Sequence, residues 1–339
     1  MRRRLRCAGL ALWACALAAA AAQDAPLPPG FAPPVIPADN PQTPAKVALG
    51  QRLFFEPRLS VDGRVSCATC HVPALAYSDG RSVPRGATGQ DLPRNAPTLA
   101  NVAWLPTLGW ASREVLTLEQ QMRTPLLGRH PVEMGLAGRE RQVLDLLAAD
   151  PQYASAFAAA FTGPGPAVSV DNLIRAIAAF ERTLVSGRSA FDRYVFEDDR
   201  KGLSDAARRG MGLFYSSRAR CGECHSGINF SGPLRSVGRE RERPALVRSG
   251  VASGDAGLMQ ESGLEADRGV FRVPGLRNVA LTAPYMHDGS LPSLQAVIEF
   301  YDRGGHQRPA VPLGLSAGEK ADLAAFLHSL TDAAFAAAP

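Results

Sequence analysis

The sequence predicts a mostly α-helical protein built from two copies of one small unit, and three observations predict it. The motif C-x-x-C-H occurs twice, as Cys67-Ala-Thr-Cys70-His71 and Cys221-Gly-Glu-Cys224-His225. The residues flanking the two motifs repeat. Apolar residues recur at helical spacing along the chain, while the alternation expected of strands is scarce.

The chain opens with Arg2, Arg3, Arg4 and Arg6, an apolar run from Cys7 to Ala20, and Ala20-Ala21-Ala22 before Gln23. That order reads as an export signal over residues 1–22. Cys15 is a poor acylation site, because bulky Trp13 lies just ahead of it and an apolar run follows. No later stretch is long and apolar enough to span a bilayer, so the expected location is the periplasm. Losing four arginines lowers the formal charge from +5 to about +1. Nothing in that balance calls for nucleic acid. Residues 23–44 are a proline-rich arm with no core pattern.

Of six cysteines, Cys7 and Cys15 belong to the signal, and the other four all sit in the two motifs. Two thiols three residues apart can bond the two vinyl groups of a haem, which brings the next imidazole beneath the iron. One such motif could be a zinc or redox pair. Two in an exported chain point to two covalently attached c-type haems, with His71 and His225 as the proximal iron ligands.

The repeat extends outwards. Gly50-Gln-Arg-Leu53-Phe54-Phe55 precedes the first motif and Gly210-Met-Gly-Leu213-Phe214-Tyr215 the second, each on an expected amphipathic helix. Downstream, Pro97-Thr-Leu99-Ala-Asn101-Val102-Ala103 parallels Pro274-Gly-Leu276-Arg-Asn278-Val279-Ala280. Helical spacing continues over Val143–Phe161, Leu173–Leu184, Leu294–Tyr301 and Ala321–Leu330. The expectation is two cytochrome c-like domains, 45–186 and 187–339, meeting near Ser186–Leu203. Superposing the repeats sets Trp110 against His287, and Thr124 against Tyr301. The second iron is thus offered a phenol where the first is offered nothing that ligates well. Met286 is the alternative cap.

These segments, with Arg94-Asn95-Ala-Pro-Thr98, Pro131-Val-Glu133-Met134-Gly135 and Thr282-Ala-Pro284-Tyr285-Met-His287-Asp-Gly289, resemble the bacterial di-haem cytochrome c peroxidases and their MauG-type relatives. In the peroxidases a methionine caps the second haem fourteen residues after the histidine of the last motif; Tyr301 stands there, as a tyrosine does in the MauG type. The peroxidases also carry a histidine that blocks the first iron. No histidine lies between His71 and His130, which departs from that pattern and leaves His130 as the one alternative blocker. Pro26-Leu-Pro-Pro-Gly30-Phe31, Pro37-Ala-Asp-Asn-Pro41 and Pro125-Leu-Leu-Gly-Arg-His130-Pro131 are similar to the methanobactin-associated MbnH-type subgroup.

The resemblance implies several roles. Glu133 would be the distal carboxylate that relays a proton during peroxide cleavage, with Gln121 as a positioning donor. Trp110 would lie between the haems as an oxidisable ring. Asn95, Thr282 and Pro284 would hold one calcium ion, and His287 would stand behind the ligands. The implied activity is oxidation of a partner protein by hydrogen peroxide, in this subgroup at a tryptophan, with a small exported copper-binding protein as one candidate partner. The alternatives are a peroxidase that reduces hydrogen peroxide with electrons from a small cytochrome or copper protein, and a plain electron carrier.

Overall fold

A computed structural model describes residues 26–305 and 310–337; the proposed signal at 1–22 lies outside them. Each half is organised by one helix pair. Pro44–Phe54 packs on Val170–Glu181, and Asp205–Phe214 packs on Ala317–His328. All four helices start on a side-chain cap, Thr43, Ser169, Ser204 and Ser316 respectively, each accepting a backbone N–H three residues on. The repeated glycines explain the crossings. A Cβ on Gly50 would lie 1.9 Å from the Ala176 carbonyl oxygen, and one on Gly210 would lie 1.9 Å from that of Asp322. Only glycine lets the backbones approach so closely.

The expected helix over Val143–Phe161 is two helices, Glu140–Ala149 and Pro151–Ala160. Pro151 has no N–H to continue the first helix, and Asp150 caps the second. A further helix, Leu118–Leu127, begins at a Thr117–Gln120 capping box, and a short one, Ala190–Phe196, at a Ser189–Asp192 capping box. Strand content is limited among the described residues to an antiparallel pair, Leu246–Arg248 with Val270–Arg272.

Two apolar cores result. The first is centred on Leu53, Phe54, Met122, Leu126, Phe157 and Ile177, the second on Phe214, Phe230, Ile298 and Phe326. The chain end crosses between them: Phe335, on helix Ala333–Ala337, packs in the first core, its ring 5.6 Å from that of Tyr77. The proline-rich arm is docked as well. Phe31 is buried edge-on to Trp104, and Trp104 Nε1 donates to the Ala32 carbonyl at 2.8 Å.

The repeated asparagines join the halves. Asn101 and Asn278 are both buried and left-handed, at φ 58° and 60°, a conformation asparagine tolerates better than most residues. Asn101 N donates to Leu184 O, and Asn101 Oδ1 accepts from Ser186 N. In the second half Asn278 N donates to Leu330 O, and Asn278 Oδ1 accepts from Asp332 N. The Asn278 amide then crosses the boundary to Ser186 Oγ at 2.9 Å. Nearby, Arg277 forks onto Asp192 at 2.8 Å through both nitrogens, with both side chains buried.

Candidate active site

Each C-x-x-C segment forms a single helical turn, Cys67–Cys70 and Cys221–Cys224, with the histidine at its end. None of the four cysteines is in a disulfide. His71 Nδ1 lies 2.9 Å from Tyr77 O, and His225 Nδ1 lies 2.8 Å from Phe230 O. A carbonyl can only accept, so Nδ1 carries the proton in both rings and each Nε2 keeps its lone pair for a metal. Burial holds both imidazoles below their usual pKa, which keeps them neutral and able to ligate.

His225, Cys221 and Cys224 open onto a cavity of about 500 Å³ walled largely by apolar side chains. That size and lining, with the thiols and imidazole at one wall, fit a covalently held macrocycle. Tyr301 and Met286, the two candidate caps, both line this cavity. The Tyr301 hydroxyl is raised to about 12, mainly by burial and then by the Cys221 and Cys224 sulfurs. Met286 adopts φ 75°.

The same cavity reaches Trp110, Asn95, Thr282 and Pro284. Trp110 Nε1 donates to Asn95 O at 2.7 Å, and Asn95 N donates to His287 O at 2.7 Å. The Asn95 amide nitrogen is engaged with Arg81 O and Ser82 O at 2.8 and 3.3 Å, which fixes its side-chain oxygen as the free end. Neutral amide and carbonyl oxygens of this kind suit a hard cation such as calcium. His287 stacks on Phe271 with ring centroids 3.9 Å apart, and its Nε2 lies 2.7 Å from Ser253 Oγ.

On the first side, Glu133 is held through its backbone. Its carbonyl accepts from Ala87 N, while Met134 N and Leu136 N donate to Pro125 O and Leu126 O at the end of helix Leu118–Leu127. Burial raises the Glu133 carboxyl above its usual range, and its charge is felt by Cys67 and Cys70. Gln121 is half-buried on the same helix, and its side chain makes no hydrogen bond with a described residue. Thr124 and His130 are exposed.

A sequence profile described as Di-haem cytochrome c peroxidase matches residues 44–200. The methylamine utilization protein MauG of Methylorubrum extorquens is 38% identical over 300 residues, covering 87% of this chain and 80% of that protein. Cytochrome-c peroxidase IdrP1 of Denitromonas iodatirespirans is 37% identical over 361 residues, covering 97% and 93%. The chain belongs to the di-haem cytochrome c peroxidase and MauG family. A solved MauG-like protein associated with microbial copper homeostasis superposes with a TM-score of 0.87 at 37% identity, covering 92% of this chain and 97% of that one. Membership makes the chain a haem-dependent oxidoreductase that uses peroxide, and implies two haem c groups. Among the described residues no helix is long and apolar enough to cross a membrane.

Sequence reasoning missed one group in this di-haem chain. Glu181 is buried on helix Val170–Glu181, and its charge is felt by Cys67. Burial raises it to about 8, against the opposing pull of Arg182. Its signal was present: an acid in register with Ile174, Ile177 and Leu184, on a face otherwise apolar.

Proposed function

We propose that this di-haem enzyme is a MauG-type oxidase, located in the periplasm, that uses hydrogen peroxide to oxidise a partner protein. The observation that supports the reading is the unequal setting of Tyr301 and its counterpart in the repeat. Tyr301 lines the cavity of His225, whereas Thr124, its counterpart in the repeat, is exposed, as is His130. An anionic phenolate stabilises ferric and higher iron states, while a thioether favours reduced iron and electron carriage.

In this reading Cys67, Cys70 and His71 hold the peroxide-reactive haem, and Cys221, Cys224, His225 and Tyr301 hold the other. When bound, the haems supply the reaction with peroxide and the storage of oxidising equivalents. Glu133 takes the proton from the near oxygen of peroxide and returns it to the leaving one. Its buried setting favours that exchange, because a raised pKa brings the carboxyl closer to neutral pH. Peroxide takes up two electrons and two protons to become two waters, and a tryptophan side chain on the partner can supply both. Trp110 bridges the two halves as the intervening oxidisable ring, and Asn95, Thr282 and Pro284 hold calcium beside it. The copper-homeostasis association of the similar structure makes a small copper-binding protein the first partner to try.

Ferric EPR of the haem-loaded protein tests this directly. One high-spin five-coordinate and one low-spin signal are expected, with the low-spin signal altered by Tyr301→Phe and retained in Met286→Leu. Two low-spin signals in the resting protein, or the reverse pattern in the variants, would overturn the reading.

A further inference from the structure

The large cavity at His225 has four arginines in its wall and no aspartate or glutamate. Two of the four are matched by an acid outside the wall. Arg277 forks onto Asp192, and Arg220 onto Glu223 at 2.8 Å through both nitrogens. Arg248 is exposed and donates to the Arg268 and Ala266 carbonyls. Arg272 is different. It is 5% exposed, and no carboxylate of a described residue pairs with it.

The hydrogen bonds of Arg272 all go to backbone. Its N donates to Trp110 O at 2.8 Å and its Nε to Gly109 O at 3.0 Å, while Nη1 has only a 3.3 Å bond to Val273 O. Nη2 makes no hydrogen bond with a described residue. These bonds, from strand Val270–Arg272, fix the side chain against the Gly109–Trp110 turn of the first half. Burial pulls the guanidinium down to about 10 with no acid to oppose the pull, so it is still a cation at neutral pH. Carbonyls and water can fill its donors. Neither neutralises a full charge, and a buried charge is costly until an opposite one faces it.

A haem c brings that charge with it. Thioether attachment uses its vinyl edge, and the opposite edge carries two propionate carboxylates. A planar guanidinium matches a carboxylate through two parallel N–H groups, and in Arg272 the Nη1 and Nη2 pair is the one left for it. We infer that Arg272 binds a propionate of the haem held by Cys221, Cys224 and His225, and so joins the acidic edge of that haem to the Trp110 turn. The inference rests on the haem attachment proposed for those three residues and not on the choice of partner. Arg272 then acts as a positioning residue as well, because its Nε and backbone N–H stay on Gly109 and Trp110.

The test uses the full haem-loaded chain. In its crystal structure an Arg272 nitrogen should lie about 2.7–2.9 Å from a propionate oxygen of the haem on Cys221 and Cys224. The reduction of both haems is then followed by spectroelectrochemical titration at pH 8, where a freed propionate stays ionised. A unit charge roughly 10 Å from an iron, at an effective dielectric constant of about 20, shifts an equilibrium on the order of tenfold. Arg272→Met should therefore lower the ferrous-to-ferric ratio of one haem at a fixed potential by about tenfold and leave the other unchanged. Arg272→Lys, which keeps the charge, should recover most of that loss. Propionates that both lie away from Arg272 overturn the inference, as do titrations unmoved by Arg272→Met. A loss that Arg272→Lys repeats in full overturns it too, because it would come from the altered Trp110 turn and not from the charge. Mass spectrometry of the Cys221–Cys224 peptide separates this from the attachment itself. No haem there fails both, whereas haem with no propionate at Arg272 fails this inference alone. Should Arg272→Met not mature, the structure of the unaltered protein and the titration of Arg272→Lys decide.

Discussion

Replacing Glu181 by glutamine should make this protein more stable at alkaline pH and leave it nearly unchanged in acid. Glu181 is 5% exposed, and burial raises it from an ordinary 4.5 to about 8. The sign follows from proton counting. Below pH 4.5 both native and unfolded chains carry the proton, so Glu181 costs little. Between 4.5 and about 8 the unfolded chain has released a proton that the native chain still holds, and stability falls as pH rises. Above 8 the native chain must bury the charge, and the loss is complete. At about 1.4 kcal/mol for each tenfold step in proton affinity, the ceiling is about 5 kcal/mol. Glutamine keeps the shape of the protonated acid and removes the titration.

The assay is thermal unfolding of the haem-loaded protein and of Glu181→Gln in a pH series from 5 to 9. The two should melt together at pH 5 and separate on the order of 5–10 °C by pH 9, the variant higher. Parallel curves at every pH would refute the argument, since they would mean that Glu181 is already ionised in the native protein. A lower melting point for the variant at pH 9 would refute it more strongly, by showing that the carboxylate makes a favourable pair with Arg182.

Two further outcomes concern the chemistry. Glu133→Gln should retain both covalent haems by mass spectrometry while slowing the stopped-flow reaction with peroxide by about 10²–10⁴-fold; an unchanged rate would take the proton relay away from Glu133. Trp110→Ala removes both the ring beside the cavity and its bond to Asn95 O, and should stop peroxide from changing the absorption of the second haem. A second haem that still responds at the native rate would remove Trp110 from the route between them.

Much of this was legible in the sequence because the deciding constraints are local. C-x-x-C-H is a covalent requirement, and Nδ1 of each histidine finds a carbonyl five or six residues on. Several helices were readable from their apolar spacing, although Pro151 divided one and the helices Leu118–Leu127 and Ala190–Phe196 were not foreseen. What could not be read depended on distant partners. Nothing in the proline-rich arm announces that Phe31 packs on Trp104, or that Phe335 returns to the first core. Asn95 could be placed in a site by resemblance. Its junction of Trp110 and His287, through its own backbone carbonyl and N–H, needed the fold.

The duplicated chain also separates what must repeat from what is free to differ. At Gly50 and Gly210 a side chain would meet backbone at 1.9 Å, and at Asn101 and Asn278 the chain turns through positive φ while the amide bonds the end of a helix-terminal segment. Those positions admit very few residues, so both copies keep the same one. Trp110 and His287, or Thr124 and Tyr301, are paired by the repeat but do not share a steric demand of that kind. Trp110, His287 and Tyr301 all line the large cavity at His225, where many shapes can be accommodated, and Thr124 is exposed. Divergence there carries little cost in stability. Asymmetry between two sites built on one scaffold can therefore arise at the cover positions alone, while the helix crossings and asparagine turns keep the two halves in register.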